Sequence, residues 1–356
     1  MATFFSEAAS VSAPRERGPK TNQGARKREH MNLNFWQMLV LALLQGVTEL
    51  FPVSSLGHTV ILPGLLGWGD LVRNQQFLPL IVALHLGTSI ALVAYFWREW
   101  YQVGRTLVVS IRQGEIRTGT QEWVGWLIII GCVPAGLLGV SLETPLKQLF
   151  ATPLVAAGFL VVNGSILLLG EALRRRAHTP VVNATTERLG RQGIPAVSRT
   201  WEPLQRPVGM LNRATLERSP DPQTRPARSL ASLSWKEALL VGLAQSLALI
   251  PGISRSGTTM VAGLGVGLSH EDAARYSFLL GTPLIGAAAL LEVPQLFGLP
   301  VATLGLVLLG MGVAGVAAYL STKFLLKYFE RGRLHPFAYY CWWAGFVSLL
   351  FFLAVR

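Results

Sequence analysis

Gln45-Gly-Val-Thr-Glu-Leu-Phe-Pro-Val-Ser-Ser-Leu-Gly-His58 and Gln245-Ser-Leu-Ala-Leu-Ile-Pro-Gly-Ile-Ser-Arg-Ser-Gly-Thr258 are two polar stretches set in apolar surroundings. Offset by 200 positions, Gln45 falls on Gln245, Val53 on Ile253, Ser54 on Ser254 and Gly57 on Gly257. Each stretch runs from an apolar helical segment through a Pro break and a hydroxyl cluster to a Gly and a second apolar segment. Two unequal copies of a broken apolar helix are what a membrane protein with internal repeats shows where it binds a polar ligand.

Composition agrees. Of 356 residues, 51% are hydrophobic and only 14% charged, against about 25% charged in a soluble domain. With a mean hydropathy of +0.43, the chain reads as an all-α polytopic membrane protein. The net charge of +12 does not point to nucleic acid, because the basic residues sit between apolar spans and in the N-terminal arm. Anionic lipid headgroups and membrane orientation account for them. Cys132 and Cys341 both lie inside apolar spans, without metal-ligand spacing, and read as small core residues.

Residues 1–31 form a polar, basic arm with no apolar run, expected to be disordered and lacking the core of a secretory signal. Met31 is a candidate start, since the apolar pattern begins at Phe35. The run from Phe35 to Leu50 is shorter than the roughly 20 residues a span needs. With the short run from His58 to Trp68 it predicts a re-entrant hairpin, because irregular backbone at membrane depth must be buried in protein or line a wet cavity. Crossing helices are expected at 77–97, 123–142 and 150–171. These complete a first membrane repeat over 32–171. Residues 172–234, with eleven Arg, four acidic residues and seven Pro, form a polar insert expected to be disordered. The second repeat, 235–356, has a matching hairpin broken at Pro251-Gly252 and crossings at 273–292, 299–320 and 337–355. The basic links 98–122, 172–234 and 321–336 all become cytoplasmic if both hairpins turn back, entering from opposite faces as inverted repeats require. The basic arm then lies outside, against the rule, unless the first hairpin spans fully or the arm is not made.

Within the stretches, Gln45 and Glu49 share a helical face, and Ser54, Ser55 and His58 can converge if a helix starts near Pro52. A carboxylate at membrane depth must be paired or liganded, which makes Glu49 a functional candidate. Arg255 offers a planar fork of donors suited to phosphate. Ser254, Ser256, Thr258 and Thr259 add hydroxyls beside a helix N-terminus, and Gly257 permits close approach. Glu49 and Arg255 could also serve as a purely structural pair, and a phosphate–metal group could sit between them. His85, deep in a span, reads as an interhelical hydrogen-bonding residue. Glu143, Lys147, Glu171 and Glu292 sit at span ends, where snorkelling to headgroups suffices. Ser269 reads as the cap of a helix opening with His270, Glu271 and Asp272, and His335 carries no expected role. The run Gly305 to Gly315 provides small residues for helix packing or a dimer contact.

Gln45 to Glu49, Pro52 to His58 and Pro251 to Thr259, with Ala274-Arg-Tyr-Ser-Phe-Leu-Leu-Gly-Thr-Pro283, resemble the bacterial undecaprenyl-diphosphatase (bacitracin-resistance) family over roughly residues 33–171 and 235–355. The resemblance implies an inner-membrane phosphatase that converts undecaprenyl diphosphate to the monophosphate, recycling the lipid carrier of cell-wall synthesis. It also implies inverted repeats with two re-entrant hairpins, an outward-facing site, a divalent cation (Mg or Ca), and often a dimer. The chain departs from the family in its long arm and insert, in Gln45 opening the first motif, and in His85 where a related sequence often carries Gln. On this footing Glu49 and Gln45 would hold the cation, and Arg255, Ser254, Ser256 and Thr259 would grip the terminal phosphate. Ser55 or a water would attack, and His58 would carry the proton. A transporter or flippase for a polyprenyl phosphate or another anion is the alternative, since broken helices around a polar centre describe both.

Overall fold

The structure is a computed structural model that describes residues 33–142, 152–177 and 228–355, all within the unit Met31–Arg356. The expected arm, most of the insert, Glu143 and Lys147 lie outside the described residues. The described chain is helical throughout, its only β contact an isolated bridge between Arg228 and Leu268. The helices are α1 Phe35–Thr48, α2 Ser55–Leu65, α3 Gly69–Arg73, α4 Phe77–Tyr95, α5 Trp97–Gln113, α6 Gln121–Ser141 and α7 Pro153–Ala177. After the insert come α8 Trp235–Ser246, α9 Arg255–Gly265, α10 His270–Glu292, α11 Val301–Phe329 and α12 His335–Ala354.

Six segments are long and apolar enough to cross a bilayer, at Phe77–Tyr95, Glu122–Ser141, Pro153–Arg175, His270–Phe297, Val301–Phe329 and His335–Ala354. They match the six expected crossings. Boundaries differ in two places. Helix α7 continues past 171 to Ala177, and α11 continues through Lys323 and Lys327 to Phe329, because nothing there breaks the backbone ladder before Gly332. The basic link 98–122 is largely a helix of its own, α5. Large apolar side chains such as Leu290, Val301 and Leu308 stay exposed, at 80%, 86% and 66%, as suits faces turned to lipid.

The short helices begin alike. Asn34 caps α1 by accepting from the Gln37 amide at 2.8 Å, and the Gln37 side chain returns the bond. Ser234 and Glu237 build the same reciprocal cap on α8. At 14 and 12 residues these helices reach only about 20 Å. Both end in a break and restart at a serine cap, Ser54 and Ser254, each accepting from the amide three residues on.

Packing places the breaks beside one another. Helix α1 lies on α11 and α8 lies on α6, with α4 against α11 and α10 against α6. Small residues allow these contacts, since a Cβ at Gly46 would collide with the Ala314 carbonyl and one at Gly242 with that of Gly131. Gly310, in the Gly-rich run, packs on Met38 and Leu84 within the chain. Helix α7 runs between the two breaks, and its fully buried Asn163 joins them. Its Nδ2 donates to the Pro52 carbonyl at 3.0 Å, and its Oδ1 accepts from the Ser254 amide at 2.9 Å. Ser256 adds a second link by donating to the Phe51 carbonyl at 3.1 Å.

Candidate active site

Glu49 ends α1 with its carboxylate at the junction of the two breaks, only 5% exposed. Its Oε1 accepts from Arg255 Nη2 at 2.8 Å and Nε at 3.3 Å. Its Oε2 accepts from Ser55 Oγ at 2.6 Å and Gln45 Nε2 at 3.2 Å, and lies 3.1 Å from His85 Nε2. The expected meeting of carboxylate and guanidinium, residues 206 apart in sequence, is therefore present. Arg255 opens α9 and also donates from Nη1 to the Ser277 carbonyl at 2.9 Å. Burying two charges costs several kcal/mol per ion, which their attraction offsets only with good geometry and further hydrogen bonds. Here Ser55, Gln45 and the Ser277 carbonyl supply those bonds.

Ser55 sits at the first position of α2, just after the strained Ser54. Among the described residues Ser54 is the one non-glycine with positive φ, at 69°, a conformation that costs about 1–3 kcal/mol and clusters at functional sites. The turn delivers the Ser55 hydroxyl to Glu49 and brings it within 3.5 Å of His85 Nε2.

A cavity of ≈ 330 Å³ opens on this cluster. Its polar end holds Glu49, Ser54, Ser55, His85, Gln245, Ser254 and Arg255. The remainder is lined by Leu78 and Val82 of α4, Gly139 and Val140 of α6, Leu249, and Ile285, Ala288 and Leu291 of α10, with Glu292 the one further charged residue, at the far end. One charged end and a long apolar flank suit an amphiphile with an anionic head.

Several expected positions fall elsewhere. His58 does not turn to Ser55: its Nδ1 faces the Ser54 carbonyl at 2.6 Å and its Nε2 the Tyr340 hydroxyl at 2.9 Å. A carbonyl only accepts, so Nδ1 carries the proton and Nε2 accepts from Tyr340, leaving neither nitrogen free. Ser256 spends its hydroxyl on Ser254 and Phe51, Thr258 on the Ser254 carbonyl, and Thr259 on Ser277 Oγ at 2.6 Å. These three and Gly257 brace α9 and do not line the cavity. Gln45 likewise lies behind Glu49. Glu171, expected at the headgroups, is buried and accepts from His270 Nε2 at 2.8 Å and the Leu334 amide at 2.7 Å. Span-end position misled there, because partners on α10 and α12 fold over it. His335 meets Arg175 Nη2 at 3.1 Å.

Three contributors were not singled out for the site. His85 is four residues from Ile81, whose carbonyl holds Nδ1 at 2.8 Å and turns Nε2 to Glu49. Gly281 lies against Arg255, where an added Cβ would overlap the guanidinium. Gln245 lines the cavity, and its alignment with Gln45 was the available signal.

A divalent cation needs hard oxygen donors. Gln45 Oε1 is buried with no hydrogen-bond partner, and the same amide reaches Glu49 Oε2 through Nε2 at 3.2 Å, so an unpartnered amide oxygen and a carboxylate, donors of the kind Mg or Ca takes, stand side by side. Among the described residues no three His, Cys, Asp or Glu cluster for a metal, which leaves phosphate oxygens or water to complete such a shell.

The model of the family described as bacitracin resistance protein BacA matches residues 38–199 and 208–347. The chain is 44% identical over 335 residues to undecaprenyl-diphosphatase 2 of Frankia alni, covering 88% of this chain and 96% of that protein. It is 42% identical over 332 residues to the undecaprenyl-diphosphatase of Mycolicibacterium paratuberculosis, covering 91% and 99%. The Acidiphilium cryptum undecaprenyl-diphosphatase is 40% identical over 318 residues, covering 88% and 96%.

Proposed function

The chain belongs to the bacitracin resistance protein BacA family, and from that premise we propose a mechanism for a multi-pass membrane phosphatase that hydrolyses undecaprenyl diphosphate to undecaprenyl phosphate and phosphate. The observation that carries the mechanism is the buried Glu49–Arg255 pair with Ser55 hydrogen-bonded to the carboxylate, at the polar end of a cavity with a long apolar flank.

Arg255 exchanges part of its contact with Glu49 for oxygens of the terminal phosphate, whose charge it stabilises in the transition state. The polyprenyl chain lies along the apolar flank. Ser55 Oγ attacks the terminal phosphorus and gives its proton to Glu49 Oε2, with His85 Nε2 beside both. The P–O bond to the lipid phosphate breaks, and undecaprenyl phosphate leaves. Water then attacks the phosphoserine phosphorus, the P–Oγ bond breaks, Oγ takes back the proton held on Glu49, and phosphate leaves with the protons of the water. His58, with Tyr340, holds the Ser54 carbonyl and so the strained turn. Glu49 and Gln45 would hold a Mg or Ca ion, which when bound neutralises diphosphate charge.

The two broken helices are read as re-entrant hairpins in inverted repeats. Supporting this, α1 and α8 are too short to span, and α1 on α11 is mirrored by α8 on α6. The site is read as facing outward. The cavity runs to Leu78 at the start of α4, Val140 at the end of α6 and Glu292 at the end of α10. The basic residues of α5, the end of α7 and 323–333 gather at the opposite ends of the spans. No observation favours the transporter reading. In the Gly-rich run, Gly310 and Gly315 pack within the chain, so these two are not available to a dimer contact.

The test is metal-dependent phosphate release from undecaprenyl diphosphate by the purified full chain. Ser55→Ala should abolish it, and acid quench during turnover should trap labelled phosphate on Ser55. Turnover of Ser55→Ala near the parent rate would remove the serine from the mechanism and leave water as nucleophile.

A further inference from the structure

Helix α5 distributes its side chains in a way that a link between spans does not require. At about 100° per residue, Val103 and Ser110 point to one side, and both are buried. Ser110 accepts from Trp126 Nε1 at 3.2 Å, fixing that side on α6. Opposite them lie Arg98, Arg105 and Arg112, seven residues apart and within about 40° of one another. Next to the arginines, Ile111, Trp97, Val108 and Tyr101 form an apolar strip, exposed at 68%, 58%, 50% and 66%.

The charges are segregated. Glu99 turns inward toward Arg275 Nη1 at 3.9 Å. Among the described residues no carboxylate lies within ion-pair distance of Arg98, Arg105 or Arg112, and Arg98 instead rests over the Trp97 ring at 5.3 Å. A surface cleft of ≈ 560 Å³ follows the stripe, lined by Trp97, Arg98, Tyr101, Arg105 and Thr106, with Glu122 at its α6 side. The helix starts two residues after α4 ends at Tyr95, and its cleft reaches Glu122 in the first turn of α6. An apolar strip flanked by unpaired guanidinium groups and two amphipathic aromatics, at the ends of two spans, is the pattern of a helix lying in a membrane interface.

We infer that α5 is an in-plane interfacial helix that holds the phosphates of anionic phospholipid headgroups, in the leaflet opposite the cavity mouth. The apolar strip enters the acyl boundary. Arg98 and Arg105 fork onto headgroup phosphate in the cleft, and Arg112 extends the stripe. A neutral zwitterionic surface offers no net charge to complement three unpaired guanidinium groups. An anionic one does, at about fivefold in local enrichment per arginine.

The experiment reconstitutes the full chain in phosphatidylcholine vesicles containing a trace of lipid brominated on its acyl chains, either phosphatidylglycerol or phosphatidylcholine. Quenching lost on Trp97→Phe isolates the signal from α5 among the ten tryptophans. The inference expects brominated phosphatidylglycerol to quench Trp97 more than tenfold better than brominated phosphatidylcholine. Raising salt to about 0.5 M, which screens beyond a few Å, should shrink that preference severalfold. Arg98→Gln/Arg105→Gln/Arg112→Gln should abolish it while phosphate release in phosphatidylcholine stays unchanged. Equal quenching by the two lipids in the parent protein overturns the inference, as does a preference that survives the triple substitution. If the triple variant does not fold, Arg105→Gln alone must lower the preference about fivefold, and no change overturns the inference equally.

Discussion

A glycine sets the position of the arginine. Arg255 reaches Glu49 only because its guanidinium lies where the Cβ of any residue other than glycine at 281 would be. Gly281→Ala is expected to displace the fork by about 1 Å, which costs on the order of 100-fold in turnover. The variant should insert and elute normally, since Gly281 lies on a continuous helix. Phosphate release by the purified variant checks it, and near-parental activity would show that Arg255 needs no such placement. That Glu49, Ser55 and Arg255 come together was legible in the sequence because ionisable and hydroxyl side chains are conspicuous at membrane depth. Where the side chains of His58, Ser256, Thr258 and Thr259 turn was not, since spacing says which residues share a helix but not which way a fold turns the ring or hydroxyl. Gly281 left no mark in sequence because its contribution is the absence of atoms.

At the scale of elements, the two breaks work only as a pair, and Asn163 of α7 ties them. Asn163→Leu keeps the volume but leaves the Ser254 amide buried without a partner, at about 1–3 kcal/mol, and the Pro52 carbonyl with only the weak Cys341 thiol at 3.9 Å. Asn163→Asp keeps the acceptor for Ser254 and loses the donor for Pro52. Both should lower kcat about 10- to 100-fold with little change in KM, with Asp the milder in detergent melting. A proportional fall in folded protein and activity, with kcat per folded molecule intact, would reduce Asn163 to a packing residue. The α8 cap offers a pH readout. Arg228 and the Ser234 cap hold the Glu237 carboxyl down at about 2. Because the folded value is depressed, the contribution is complete above the ordinary range near 4.5 and is lost as pH falls toward 2. Partial exposure keeps it small. Melting of the parent should therefore drop more steeply than that of Glu237→Gln between pH 4.5 and 2, and superimposed curves would show that the pair contributes nothing. The α5 helix escaped sequence reading because its basic residues drew attention to orientation, while its seven-residue stripe is visible only once Val103 and Ser110 are known to face α6.

For the whole molecule, the proposed outward orientation of the cavity mouth predicts sidedness. In a cysteine-free background, Gln295→Cys should react with a membrane-impermeant maleimide in intact cells, and Lys327→Cys only after lysis. The reverse labelling would invert the topology. Composition and the length of apolar runs determined that the chain is a helical membrane protein with six crossings, since the bilayer enforces both hydrophobicity and backbone self-satisfaction along each segment. The two matched stretches also determined which residues carry charge and hydroxyls at membrane depth. Only tertiary structure decided which of these meet. Hydrogen bonding is short-ranged and directional, so the choice among Ser55, His58 and His85 as the neighbour of Glu49 depended on how α2, α4 and α9 pack around Asn163, and that packing is written in no single segment.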